Sequence, residues 1–178
     1  MGLNGLAYHV RTMSLPAKRP QDSYTEMTEV VLPNDANPLG FILGGRVMHL
    51  IDIAGAMACH RHTRSLLVTA AVDGLQFLHP IRVGDMINLQ ATVTAAYKTS
   101  LEVEVKVFSE ETLTGVRRMT SLAYLTFVTT GRAGERCEIP GLILETPEQK
   151  LKAAEADARR GARIAAKTKL RAAAGELG

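Results

Sequence analysis

The chain has no tryptophan, and aromatic residues make up only 4% of it. Platforms for single-stranded nucleic acid interleave such rings with basic residues, so that mode of binding lacks its material. Cysteine occurs twice, as Cys59 in an apolar run and Cys137 in a polar turn. That leaves no disulfide framework and suits a reducing compartment. No apolar run approaches the roughly 20 residues of a membrane-spanning helix. The first twenty residues hold no apolar stretch of the length a secretory signal needs, and Leu6 stands where a myristoylation signal wants Ser or Thr. A cytoplasmic location, with no membrane and no nucleic-acid partner, is the expectation. Also missing are a G-x-S-x-G elbow, a P-loop and a glycine-rich dinucleotide turn after a strand. Serine-hydrolase, nucleotide-triphosphate and dinucleotide chemistry have no support.

What is present is enough for one domain with a core: 178 residues, 46% hydrophobic and 22% charged. The formal net charge is +3, and the excess collects at the end, where Lys150, Lys152, Arg159, Arg160, Arg163, Lys167, Lys169 and Arg171 outnumber the acids. A solvated basic helix is the plain reading of that stretch.

Residues 1–22 read as a loose arm, 23–145 as the folded domain and 146–178 as an Ala-rich basic helix opened by Pro147. Ser23 to Leu32 is strand-like, and PNDANPLG over 33–40 is dense in turn formers. RVMHLIDIAGAMACHRHTR is apolar nearly all round, which predicts a helix buried on most faces, with Gly44 and Gly45 at its entrance. Arg61, His62 and Arg64 suit its C-terminal turn through the helix dipole. Four long strands follow. In one of them Leu101, Val103, Val105 and Val107 alternate with Glu102, Glu104 and Lys106, so that one face meets a core and the other water or another subunit. The fold class is α+β: an antiparallel sheet around one central helix, with an extra C-terminal helix. A helix this apolar needs more cover than one sheet gives, and a second copy of the chain would supply it.

Three features fall within sixteen residues. Asn37 sits in the turn, Gly44 and Gly45 open the helix, and Asp52 lies seven residues beyond Gly45 on nearly the same face. Asp52 is the only formally charged residue between Val47 and Cys59. A carboxylate in such surroundings costs several kcal/mol unless it is hydrogen-bonded or solvated, so it marks either function or a buried ion pair. Free N–H groups at a helix start carry partial positive charge, and glycine lets a substrate carbonyl approach them as in an oxyanion hole. The alternatives are a tight turn for the glycines and an ordinary loop hydrogen bond for Asn37. His49, His60 and His62 do not share a face with metal-ligand spacing, so no metal is expected.

The stretch LPNDANPLGFILGGRVMHLIDIAGAMACHRH, continued by VTAAVDGLQFLHPIRVGDMINLQATVTAAYKTSLEVEVKVFSEE and TSLAYLTFV, resembles the cytosolic acyl-CoA hydrolases of the hotdog superfamily over about residues 23–130. The resemblance implies a hotdog fold, dimers that assemble further, commonly to hexamers, and active sites at the dimer interface. It places the catalytic pair on Asn37 and, from the opposite subunit, Asp52, with the Gly45 N–H as oxyanion donor and Gly44 beside it. Family turns of the K/R-x-S kind that meet the nucleotide of CoA fall on Lys98, Thr99 and Ser100; Arg82, Arg61 and Arg64 are further cations, and Thr120 with Ser121 are candidates for the cleft wall. Leu43 and Phe41 depart from residues common in relatives and bear on the acyl pocket. The implied reaction is hydrolysis of the acyl-CoA thioester, with Asp52 as general base on a water or, as the lesser alternative, as nucleophile, and no cofactor beyond the CoA of the substrate. The competing readings are a hotdog hydratase or dehydratase and a non-catalytic acyl-CoA-binding regulator.

Overall fold

The protein is described by a computed structural model over residues 15–131 and 134–175. The first fourteen residues of the expected arm lie outside the described residues.

The chain order is β1 (Thr25–Val30), α1 (Gly44–Thr63), β2 (Leu66–Phe77), β3 (Met86–Ala96), β4 (Ser100–Glu110), β5 (Arg117–Thr130) and α2 (Pro147–Gly175). The strands form one antiparallel sheet in the order β1-β3-β4-β5-β2, so β1 and β2 are its edges. One face of the sheet packs on α1. Val47, Leu50, Ile51, Ala54 and Ala58 of the helix meet Leu89, Ala91, Val93, Leu101, Val103, Val105, Ala123, Leu125 and Phe127 in a single buried cluster. The helix lies very close to the strands at Gly55, where an added Cβ would stand 3.1 Å from Phe127 and 3.2 Å from Val103. Only glycine permits that approach without displacement. The helix ends at Arg64, which adopts a left-handed φ of 55° and donates its N–H to the His60 carbonyl.

The second face of the sheet departs from expectation. Glu102 and Glu104 do not meet water or a neighbour; both are buried under α2. Arg159 donates to both oxygens of Glu102 at 2.8 and 3.0 Å, Lys152 bonds Glu104 at 2.9 Å, and Arg163 bonds Asp73. The Arg159 guanidinium also lies 3.8 Å above the ring of Tyr124. Positions 152, 156, 159 and 163 form one helical stripe, and buried Ala156 lets the helix settle on the sheet. The basic C-terminal segment is therefore docked by its charges as far as Arg163, and exposed from Ile164 onward.

Two other expectations change. Part of the arm is fastened: Lys18 donates its Nζ to the carbonyls of Arg61 and His62, and its backbone pairs with the Gly141–Ile143 stretch. His62 does not act as a cation at the helix end. It is fully buried, its Nε2 bonds the Pro140 carbonyl, and burial lowers its pKa so that the neutral ring is favoured.

Candidate active site

The loop before α1 holds itself in place. Asn37 Oδ1 accepts the N–H groups of Leu39 (3.0 Å) and Phe41 (3.2 Å), while the Asn37 N–H donates to the Phe41 carbonyl. The expected turn role of Asn37 is real, and it has a consequence. With the oxygen committed to two donors, the amide orientation is set, and Nδ2 has no partner among the described residues. The loop is laced to the β2–β3 connection by Ile42 N–H to Ile81 O and by Val83 N–H to Gly40 O. Arg46 ties the helix start to β1 through Glu29 at 2.9 Å, and lies 3.2 Å from Asp35 of the loop.

At the helix entrance the N–H groups of Arg46 and Val47 reach back to the Leu43 carbonyl. Those of Gly44 and Gly45 have no acceptor among the described residues, as the geometry of a helix start requires. Gly44 lines a cavity of about 330 Å³ together with Asn37, Phe77, His79 and Ser121. Gly45 lines a different cavity of about 390 Å³ with Asp52, Thr69, Met48 and Leu75. The two cavities share no lining residue. Adjacent positions on a helix are about 100° apart around its axis, so the two glycines border different cavities although both N–H groups point toward the helix start.

Asp52 is half-buried and pairs with no arginine among the described residues. Its Oδ1 accepts a 2.6 Å hydrogen bond from Thr69 Oγ1 of β2, and its other oxygen has no partner among the described residues. A carboxylate with one oxygen anchored by a neutral donor and the other beside a cavity is placed to take a proton from water. Cys59 is unsuited to nucleophilic work: it is fully buried, and burial, followed by the charge of Asp52, pushes its thiol well above the usual range. Among the described residues no group of three or more His, Cys, Asp or Glu could hold a metal ion, and no helix is long and apolar enough to cross a membrane.

The remaining predicted residues fall in three places. Ser121 lines the Asn37 cavity, whereas its neighbour Thr120 turns away and donates to the Val107 carbonyl. Arg82 lines a third cavity beside the Asn37 one. Lys98, Thr99 and Ser100 form the β3–β4 turn at the opposite end of the sheet. Ser100 pairs with Val128, seven positions along β5 from Ser121, or roughly 23 Å. Lys98 is largely exposed and pairs with Glu138 at 3.2 Å. Within one chain this turn reaches neither Asn37 nor Asp52. Thr69 was not expected from the sequence; a threonine in a β-rich stretch carries no signal until the strand is laid against the helix.

Comparison with known proteins agrees with this architecture. Residues 39–116 match the model of the Thioesterase superfamily. An uncharacterized acyl-CoA thioester hydrolase of Bacillus subtilis is 35% identical over 129 residues, covering 72% of this chain and 75% of that protein. A crystal structure of an apo-hexameric acyl-CoA thioesterase superposes with a TM-score of 0.81 at 35% identity, over 86% of this chain and 98% of that one. The acyl-CoA hydrolase of Staphylococcus aureus, solved with butyryl-CoA, CoA and CoA disulfide, gives a TM-score of 0.83 at 29% identity, over 91% and 99% of the two chains. Two rodent acetyl-CoA thioesterases also match, and the chain spans 25% of their length. The chain belongs to the Thioesterase superfamily. Within it, the matches that span most of both chains are named acyl-CoA hydrolases and thioesterases.

The Staphylococcus aureus enzyme has also been solved as alanine variants at an asparagine, an aspartate fifteen residues later and a threonine seventeen after that. Asn37, Asp52 and Thr69 have the same spacing here.

Proposed function

We propose that the enzyme hydrolyses acyl-CoA at two sites per dimer, each built from Asn37 of one subunit and Asp52 with Thr69 of the other. The observation that carries this reading is the separation of the two groups within one chain. Asn37 and Asp52 open into distinct cavities, so a site using both needs two copies. Edge strand β2 offers the surface for pairing: Leu66, Val68, Val72 and Phe77 are each about half exposed on a strand paired with β5 on one side only. The half-exposed Met48 of α1 lines a cavity with Thr69, Val72 and Leu75 of that strand. Antiparallel continuation through β2 also reverses the partner's direction, which brings its Lys98–Thr99–Ser100 turn toward this chain's Asn37 end. That turn then meets the nucleotide part of CoA. The relative solved as a hexamer supports further assembly of such dimers.

In this mechanism Asp52 takes a proton from a water molecule as the water oxygen attacks the thioester carbon. Negative charge gathers on the former carbonyl oxygen, where the Gly45 N–H and the Asn37 Nδ2–H can donate to it; the Gly44 N–H is a weaker donor. The tetrahedral adduct collapses with loss of the C–S bond. The CoA thiolate leaves and recovers the proton from Asp52, giving a carboxylic acid and free CoA. Thr69 keeps the Asp52 carboxylate turned toward the water. The reaction needs no cofactor, and the two free cysteines fit a cytoplasmic setting.

The test is thiol release from a panel of acyl-CoA substrates by wild type and Asp52→Asn. The substitution keeps shape and the Thr69 contact but removes the base, so turnover should fall at least about a hundredfold while folding is retained. Release of thiol by Asp52→Asn at the wild-type rate would reject the mechanism. A change in enoyl absorbance without thiol release would indicate a hydratase, and acyl-CoA binding with neither a regulator.

A further inference from the structure

The C-terminal half of α2 has no cover within its own chain. Glu104, Tyr124 and Gly74 are in register across β4, β5 and β2, and α2 follows that line over the outer face of the sheet. Lys152 bonds Glu104, Arg159 stacks on Tyr124, and Arg163 reaches Asp73 of the edge strand β2. Past Arg163 the helix overhangs the edge by roughly 18 Å, and every residue from Ile164 to Gly175 is exposed. The apolar residues of this overhang are ordered by helical spacing. The docking stripe 152, 156, 159, 163 continues as Ala166, Leu170, Ala173 and Ala174, and Leu170 is 71% exposed. A second stripe starts at Asp157 and Arg160, which both contact Tyr97, and continues as Ile164, Thr168 and Arg171. Tyr97 stands at the Leu66 end of β2: its N–H bonds the Ser100 carbonyl, Ser100 pairs with Val128 of β5, and Val128 with Val68 of β2.

β2 runs from Leu66 to Phe77, so antiparallel pairing of two β2 strands about their midpoint sets residue 73 of one opposite residue 70 of the other. Each α2 then passes the twofold axis beside its copy, about 10 Å away on the Tyr97 side, which is the distance of packed helices. We propose that the overhang of α2 docks on a second copy of this chain, as a strap from the outer face of one sheet to that of the other. The proposal rests on the reading of β2 as the pairing edge. Ile164, the first residue past that edge and 51% exposed, meets the partner's Ile164 at the axis. Val68 and Val128 share the outward phase of Thr126, which bonds Asp73 beneath α2, and Val68 is 54% exposed. Leu170 lies over the partner's Val68 and the partner's Val128. The same symmetry brings Arg171 to the partner's Asp157. The strap is on the sheet face opposite α1, so it joins the subunits without entering either active site.

The experiment places single cysteines on α2 of the full chain in a Cys137→Ser background. Ile164→Cys lies on the side facing the second helix and Lys169→Cys on the other side. Each is oxidised mildly at a dilution where light scattering finds dimers, then run on a non-reducing gel. Ile164→Cys should give a thiol-reversible species of twice the chain mass, with a yield at least about tenfold above that of Lys169→Cys. Dimers that fail to cross-link through Ile164→Cys, or that cross-link equally through Lys169→Cys, overturn the strap and leave the shared site standing. A cross-link seen only in assemblies larger than the dimer puts the overhang between dimers and overturns the proposal as well. A wild type that stays monomeric at every concentration overturns the pairing through β2, and the strap with it. Ile164→Asp gives an independent readout: the dimer dissociation constant should rise at least about tenfold, and an unchanged constant overturns the proposal.

Discussion

Replacing Arg159 with methionine removes the clamp between α2 and the sheet while keeping most of the side chain's apolar volume. Glu102 is 2% exposed, and both of its oxygens rest on the Arg159 guanidinium, with Thr94 Oγ1 as the other side-chain donor. Breaking such a pair leaves a buried carboxylate with one neutral hydrogen bond. That costs about 3–5 kcal/mol in a fully dry site. Arg159 itself is 21% exposed, so water enters when it is shortened and the lower figure, about 3 kcal/mol, applies. Loss of the stack on Tyr124 adds up to about 1 kcal/mol. For a chain of this size the sum lowers the melting temperature by about 6–16 °C at fixed protein concentration. The partner variant sharpens the test. Glu102→Gln combined with Arg159→Met leaves no buried charge and should recover most of the loss. A single-variant shift below about 2 °C, or no recovery in the double variant, would refute the idea that α2 is held by a desolvated ion pair.

Two further effects follow from buried groups. His62 has its pKa lowered in the folded state, mainly by burial, so the unfolded chain binds the extra proton first. Its contribution is fully present above the unfolded value of about 6.5 and is lost as pH falls below it toward the folded value. Chemical denaturation of wild type should show stability declining over that window, and His62→Gln should flatten the decline; parallel curves would contradict this assignment. Gly55→Ala places a methyl group against Phe127 and Val103 and should cost about 1–3 kcal/mol, read from urea midpoints, with an unchanged midpoint excluding the close approach.

Much of this was legible in the residues. The apolar run around Asp52 marked the central helix, and the alternation Leu101, Val103, Val105, Val107 marked a strand with one core face. The turn formers around Asn37 marked the loop, and the lone carboxylate in an apolar helix singled out Asp52 as the candidate base. What escaped depended on contacts distant in sequence. Glu102 and Glu104 read as a wet face because the helix that buries them begins some forty residues later. Lys152, Arg159 and Arg163 read as a solvated charge run because ordinary solvated helices carry the same spacing. Thr69 gave no sign of its hydrogen bond to Asp52, which only the placement of β2 against the helix creates. The separation of Asn37 from Asp52 is a three-dimensional fact that periodicity does not encode.

The interface claim is open to a direct measurement by mixing two inactive variants. Asn37→Ala and Asp52→Ala should each be nearly inactive in thiol release from butyryl-CoA. Unfolded together in equal amounts and refolded, they should form mixed dimers in which one of the two sites contains both native groups. Random pairing gives about half the dimers this composition, so about a quarter of wild-type activity should return. Activity no greater than the sum of the two variants, in a mixture shown to contain mixed dimers, would contradict a site shared between subunits.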